Sequence, residues 1–384
     1  MSEHIAITGI AQSKRPTDNK NSLADLIFEV SSEALADANL NIDQLESVTL
    51  AAHDMMDGRA ITTMLNAAPA GAYLKDEIRV AEDGAFALIM ACLRVLSGHF
   101  TNSLVVSWHR SSECPDNTFH TVANLSYDPF FYRPFALNDV TAHAIQAQRY
   151  MHKYGISELH AAQIVRKNRS NGVNNLLAHL RSEVTAEEVL KSGHISYPLK
   201  ALDLPPLSDG ACAMVITSSK KLKSSNKPRA WIKGFGWSND TYYSGDKELA
   251  HLESLSLAAN QAYQMARINN PFKQIDVAEI HDITSYHELM EYEALNFCPG
   301  GAAGKYVDNG SFEINGELPI NPSGGCLSSN PYTATGLIRV AEAALQVTDR
   351  AGEHQIAGAK TALAHGMSGL CAQSNCLFIL TGNI

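Results

Sequence analysis

Ile275-Asp276-Val277-Ala278-Glu279-Ile280 runs into His281-Asp282, and Val48-Thr49-Leu50-Ala51-Ala52 runs into His53-Asp54. Each is a short β-rich stretch ending on a histidine–aspartate pair, and what flanks the two is also alike. Upstream, Ile5-Ala6-Ile7-Thr8-Gly9-Ile10 and Trp231-Ile232-Lys233-Gly234-Phe235-Gly236 read as strands. A helix follows each. Leu23, Leu26, Ile27, Val30 and Ala34 sit at helical spacing behind the capping residues Asn21 and Ser22, and Leu255, Ala258, Ala259, Ala262, Tyr263 and Ala266 repeat the pattern. Downstream, long helices are expected from Gly84 to Leu96 and from Thr335 to Val347. Strand Leu104 to Trp108 leads into His109, strand Thr361 to Ala364 leads into His365, and strand Ala211 to Thr217 has its counterpart in Cys376 to Thr381. Alternating strands and helices mark an α/β chain, and the same order met twice marks a duplicated one.

The two halves are expected at 1–228 and 229–384. The first is longer because of a segment at about 111–206, with helices expected at Asp139–Tyr154, Ser157–Asn171 and Thr185–Ser192. Thr185-x-x-Glu188 is a capping-box signal for the last of them. An insertion of this size forms a lid or a binding surface. Between the halves, Ser218–Arg229 (SSKKLKSSNKPR) reads as a solvated linker in preference to a phosphate site.

Composition narrows the function. A hydrophobic fraction of 45% over 384 residues excludes disorder, and 40 acidic against 30 basic residues (net −10) argue against a sequence-independent nucleic-acid binder. The longest apolar run, Ala85 to Leu96, is too short for a membrane span and contains Arg94. The strand at Ile5 begins without the layout of a signal peptide. Seven cysteines, an odd number with no CxxC pair, read as reduced thiols of a cytoplasmic chain. Gly234-x-Gly236 lacks the third glycine of a dinucleotide loop, and Gly300-x-x-x-Gly304-Lys305 is one residue short of a P-loop. Cys371 and Cys376 are too isolated for a zinc site and are expected in the core. No metal site and no tightly bound cofactor is expected.

Three segments resemble the thiolase superfamily, in its sterol-carrier-protein-type branch. They are Pro198-Leu199 through Leu202-Asp203 to Ser208-Asp209-Gly210-Ala211; His281-Asp282-Ile283-Thr284 with Glu288-Leu289 and Tyr292-Glu293-Ala294-Leu295; and Ile320-Asn321-Pro322-Ser323-Gly324-Gly325 followed by Asn330-Pro331-Tyr332-Thr333-Ala334-Thr335-Gly336. The resemblance implies a duplicated five-layered αβαβα fold with the lid inserted in the first half, and a homodimer. It also implies an acyl-coenzyme A substrate, so that coenzyme A enters as part of the substrate.

The departures from the family pattern are chemical. Thiolases carry a nucleophilic cysteine in Cys-x-Ser-Gly at the start of the long helix; here the stretch is Ala81-Glu82-Asp83-Gly84. Asn330 replaces the motif histidine, and Ala364-His365-Gly366 replaces the second cysteine. Glu82 and Asp83 read as acids that suit a helix N-terminus. His281 corresponds to a residue of the enolate's oxyanion hole, although a buried, satisfied imidazole is the plainer alternative. Asn330 can donate to a thioester carbonyl but cannot carry protons. Tyr332 is expected near the acyl group as the principal proton carrier, its phenol acidified by a neighbouring donor or the helix starting near Thr335, or else as a core tyrosine. Tyr286 and His365 are further acid–base candidates, each equally readable as a structural residue. The aromatic stretch Phe119, Tyr127, Phe130, Phe131, Tyr132 and Phe135 either lines a pocket or forms a core cluster.

A site that holds an acyl-CoA and an enolate, without the cysteine, suits retro-aldol cleavage of a β-hydroxyacyl-CoA. The thiolase-like aldolases of steroid side-chain degradation resemble this pattern, and the resemblance implies a small partner protein with a zinc ribbon and an OB-fold. Two alternatives stand beside it: a non-catalytic acyl-CoA- or lipid-binding subunit, and an acyltransferase or condensing enzyme of the same superfamily.

Overall fold

A computed structural model describes residues 4–16, 21–59, 62–114, 118–222 and 227–383, so part of the linker between the halves lies outside the described residues. Its strands are β1 (Ile5–Gln12), β2 (Ser47–Ala51), β3 (Asp76–Val80), β4 (Asn102–His109), β5 (His194–Ser196), β6 (Leu199–Lys200), β7 (Gly210–Ser218), β8 (Ala230–Asn239), β9 (Val277–Glu279), β10 (Thr361–Ser368) and β11 (Ser374–Thr381). Nine of them form one sheet in the order β3-β2-β4-β7-β1-β8-β11-β10-β9, and β5 pairs with β6.

The duplication is visible in the pairing itself. Outward from the join between β1 and β8, the first half runs β7, β4, β2, β3 and the second runs β11, β10, β9. The β1–β7 and β8–β11 pairs are antiparallel, as are β4–β7 and β10–β11, whereas β2–β4 and β9–β10 are parallel. The counterpart of β3 is reduced to a single parallel bridge between Ala278 and Ile320.

Strand alternation explains the layering. In β7, Cys212, Met214 and Ile216 face one core, while Ala211, Ala213 and Val215 face another. The strand is buried on both faces, which is why its sequence is apolar throughout. Between the two half-sheets lie the helices Gly84–Leu96 and Thr335–Gln346, packed on each other and sharing one core with Met214 of the first half and Phe378 of the second. Helix Leu23–Asp37 covers β1 and β7 on one outside, and Glu253–Ala266 covers β8 and β11 on the other. The result is the expected five-layered αβαβα arrangement.

Each outer helix presses so closely on its strand that the strand needs glycine. A Cβ on Gly9 would lie 2.1 Å from the Ala34 carbonyl oxygen, and one on Gly236 would lie 2.2 Å from that of Ala258. These contacts are with helix backbone, which cannot swing aside.

The lid helices form as read, at Asp139–Tyr154, Glu158–Gly172 and Ala186–Lys191, capped by Asn138, Ser157 and Thr185. Although inserted in the first half, they pack on the second: Ala144, Tyr150 and Ile164 share a core with Leu255, Tyr286 and Leu289. Buried Lys167 fixes that contact, with its Nζ 2.8 Å from Glu288 Oε1 and donating to the Ile320 carbonyl at 3.0 Å. The aromatic stretch divides instead of acting as one unit. Tyr127 and Tyr132 join a small core, Phe130, Phe131 and Phe135 are exposed, and the side chain of Phe119 lies outside the described residues.

Gly236→Ala is expected to destabilise the protein by on the order of 3 kcal/mol, as overpacking against rigid backbone does. A melting temperature equal to wild type would show that the helix can retreat from β8.

Candidate functional site

A cavity of about 440 Å³ opens beyond the C-terminal ends of the parallel strands and is roofed by the lid. This is where open α/β sheets hold their ligands. His53 follows β2 and His281 follows β9, so the duplication delivers one histidine from each half to the wall. Asn330 and Tyr332 come from the loop before helix Thr335–Gln346, and Asp83 caps helix Gly84–Leu96. The lid contributes Tyr127, Asp139 and His143.

The second half presents donors. His281 Nδ1 accepts from the Met367 backbone N–H at 3.3 Å, which leaves the proton of the neutral ring on Nε2. Burial, with His365 and Arg339 nearby, holds His281 well below the usual imidazole range, so the ring is neutral at pH 7. Asn330 Oδ1 accepts from the Thr335 hydroxyl at 2.7 Å, while its backbone exchanges bonds with Ser208. That fixes the amide orientation, and among the described residues Asn330 Nδ2 has no partner. An imidazole N–H and an amide N–H therefore belong to two residues of one cavity wall.

Asp83 lies at the junction of the central helices. Its Oδ1 accepts from the Ala85 N–H at 2.8 Å and its Oδ2 from the Gly336 N–H at 2.7 Å. One carboxylate thus meets the N-terminal backbone of a helix from each half. Oδ2 is also 4.0 Å from His281 Nδ1. Burial outweighs these bonds and pushes the carboxyl up to about 8. The residue facing the cavity from this turn is Asp83; Ala81, at the expected nucleophile position, is exposed and does not line it.

Tyr332 is half-buried in the turn Tyr332–Ala334. Its ring lies 6.4 Å from that of His53 and 5.6 Å from that of His109, centroid to centroid. His109 Nδ1 is 3.2 Å from Asp57 Oδ1, and burial followed by the charge of His53 lowers His109 to about 3. The expected acidification of Tyr332 does not occur. Burial, then Asp139 and Asp83, drive the phenol above its ordinary value. The loss of water and two neighbouring carboxyl groups all favour the neutral phenol, so Tyr332 keeps its proton.

Two of the residues singled out in the sequence stand elsewhere. Tyr286 is buried in the core between lid and second half, away from the cavity, and among the described residues its hydroxyl has no partner. His365 is buried behind His281: its Nδ1 accepts from the His281 backbone N–H at 3.4 Å and its Nε2 lies 2.9 Å from Asn375 Oδ1. It supports the loop that carries His281 and does not line the cavity. His53, Asp83, Asp139 and His143 line the cavity without having been proposed as site residues, and Tyr127 of the aromatic stretch both lines it and joins a small core. His53 was within reach, because the duplication pairs it with His281. The Tyr127 hydroxyl donates to Asp139, a contact that depends on how the lid folds back.

Residues 237–381 match the thiolase C-terminal domain-like family. An acetyl-CoA acetyltransferase of Methanocaldococcus jannaschii is 30% identical over 352 residues, covering 88% of this chain and 88% of that protein. Sterol carrier protein 2 of Oryctolagus cuniculus is 34% identical over 227 residues, which is 57% of this chain but only 41% of that longer protein. Among solved structures, the Ltp2–ChsH2(DUF35) aldolase superposes with a TM-score of 0.85 at 23% identity, over 99% of this chain and 98% of that one.

The weakened acidity of Asp83 carries a pH signature. Folding lifts this carboxyl from its usual 3.8 to about 8, so its contribution to stability is full below about pH 4 and is lost as the pH rises to about 8. The stability of wild type relative to Asp83→Asn should accordingly fall across that interval in chemical denaturation. A difference independent of pH would place the ionisation elsewhere.

Proposed function

This chain belongs to the thiolase superfamily, in its sterol-carrier-protein-2-like branch, and from that premise we propose that it is a carbon–carbon lyase acting on an acyl-CoA. The reaction is retro-aldol cleavage of a β-hydroxyacyl-CoA to a ketone or aldehyde and a shorter acyl-CoA. One observation carries the reading: His281 and Asn330, each with an N–H left to give, line a cavity with Tyr332, and among the described residues no cysteine lines it. Cys92, Cys212, Cys298, Cys326, Cys371 and Cys376 are buried, and burial raises the thiols in each case, which disfavours the thiolate that acyl transfer needs.

In this mechanism the thioester oxygen lies against His281 and Asn330. As the Cα–Cβ bond breaks, negative charge moves onto that oxygen, where preorganised donors in a water-poor cavity are worth most. Tyr332, which holds its proton, supplies it to Cα of the enolate. Coenzyme A enters and leaves as part of the thioester, and no covalent enzyme intermediate forms. A homodimer, and a small partner carrying a DUF35-type module, are part of the proposal; in the structurally similar aldolase, Ltp2 is paired with ChsH2(DUF35). The ring system or chain on the acyl group, steroid side chains included, is read by the lid side of the cavity, where Ala123, Val140, Leu204 and Leu207 stand among Tyr127, Asp139 and His143.

Acyl transfer is the second reading, favoured by the similarity to the methanogen acetyltransferase. It would have to run without a cysteine in the cavity.

A panel of β-hydroxyacyl-CoAs, assayed with and without a co-expressed DUF35 protein, tests the lyase. Tyr332→Phe should lower turnover by roughly 10²-fold or more while acyl-CoA affinity stays near wild type. His281→Ala should also lower turnover, through loss of an oxyanion donor. Near wild-type cleavage by Tyr332→Phe would move the proton to another group. Alkylation of the accessible thiols should leave turnover largely intact; loss of activity on alkylation would bring acyl-cysteine chemistry back.

A further inference from the structure

We infer that His53 is the base that takes the β-hydroxyl proton, leaving Tyr332 as the acid that protonates the enolate; this rests on the retro-aldol reading above. The first ground is position. His53 stands at the end of β2 as His281 stands at the end of β9, so the duplicated fold brings a second imidazole to the same cavity. Its carbonyl accepts from the N–H groups of Met56 at 2.9 Å and Asp57 at 3.2 Å, which holds the turn that presents it.

The second ground is which groups remain uncommitted. The lid's His143 also has a ring nitrogen, Nδ1, without a partner among the described residues, but its ring packs on His287, whereas that of His53 meets Tyr332. His281 Nδ1 is occupied by Met367, the two Asp83 oxygens are occupied by Ala85 and Gly336, and Asp139 accepts from Tyr127. Among the described residues the His53 ring has no hydrogen-bond partner, and it is half-buried at the cavity wall. Burial lowers its affinity for a proton, against the opposing charge of Asp54, so the ring is the neutral, accepting form at pH 7. A lone pair is available there.

The third ground is the neighbour. The Tyr332 ring meets the His53 ring edge-on, at 6.4 Å and 61°. Acid and base thus belong to adjacent residues from opposite halves. The imidazole lone pair takes the β-hydroxyl proton, and the O–H electrons become the new carbonyl bond. The Cα–Cβ pair moves into the enolate, whose oxygen is held by His281 and Asn330. Tyr332 then gives its phenolic proton to Cα, and after product release solvent returns a proton to the phenolate and takes one from the His53 imidazolium. No proton or electron is gained or lost by the protein.

Two reactions separate the roles. Cleavage of a β-hydroxyacyl-CoA needs both groups, whereas exchange of the Cα hydrogens of the shorter acyl-CoA product in deuterium oxide needs only enolisation. In His53→Gln, with its melting temperature checked against wild type, cleavage should fall by roughly 10²-fold or more while Cα exchange persists. Tyr332→Phe should lose both. Cleavage by His53→Gln at near the wild-type rate overturns the assignment, as does parallel loss of cleavage and exchange in a folded variant. Wild-type protein that exchanges Cα hydrogens but cleaves no β-hydroxyacyl-CoA overturns the retro-aldol reading itself.

Discussion

The two hydrogen bonds that Asp83 accepts, from Ala85 and from Gly336, join the N-termini of the two central helices, one from each half. Everything at the cavity floor is referenced to that junction. The Gly336 bond fixes the start of helix Thr335–Gln346, and the preceding turn carries Asn330 and Tyr332. There is no room for any side chain at position 336, where a Cβ would fall 1.9 Å from Asp83 Oδ1. The same carboxyl group lies beside His281 and raises the Tyr332 phenol. A buried acid without a cationic partner is costly, and here its cost is reduced by protonation and by two backbone donors.

Beneath His281, the chain commits further buried polar groups to one loop. Asp282 accepts from the Cys326 and Leu327 N–H groups and from Asn168, and Gly325 leaves no space for a side chain beside it. Asn321 Oδ1 accepts from Ile280 N–H, and Ser323 and Arg339 both bond Glu279. Strand β9, the loop 320–327 and the lid helix Glu158–Gly172 are thereby held in one arrangement. A donor pair meant for a developing negative charge must already be oriented when the charge appears, and this network supplies that rigidity.

Much of this was legible in the chain. The duplication, the lid helices and helix Gly84–Leu96 follow from local periodicity and capping, which are properties of neighbouring residues. His281, Asn330 and Tyr332 were found because they stand in segments that resemble thiolase-superfamily motifs. β9 is shorter than its sequence suggests at its C-terminal end, where the Ile280 N–H goes to the Asn321 side chain, while the Asp276 N–H before it still donates to the Thr361 carbonyl of β10. What could not be read depends on distant contacts. The proton affinity of Tyr332 is set partly by Asp139 of the lid, the place of Tyr286 by the packing of the lid on the second half, and the role of Asp83 by a helix some 250 residues away in the chain.

The central claim is carbon–carbon cleavage with no acyl group ever carried by the protein. Intact-protein mass spectrometry on samples quenched during turnover of a β-hydroxyacyl-CoA, with product analysis of the same samples, addresses it directly. The account predicts an unchanged protein mass while carbonyl product and shorter acyl-CoA accumulate in equal amounts. A protein mass raised by an acyl group, or consumption of substrate without a carbonyl product, would contradict it.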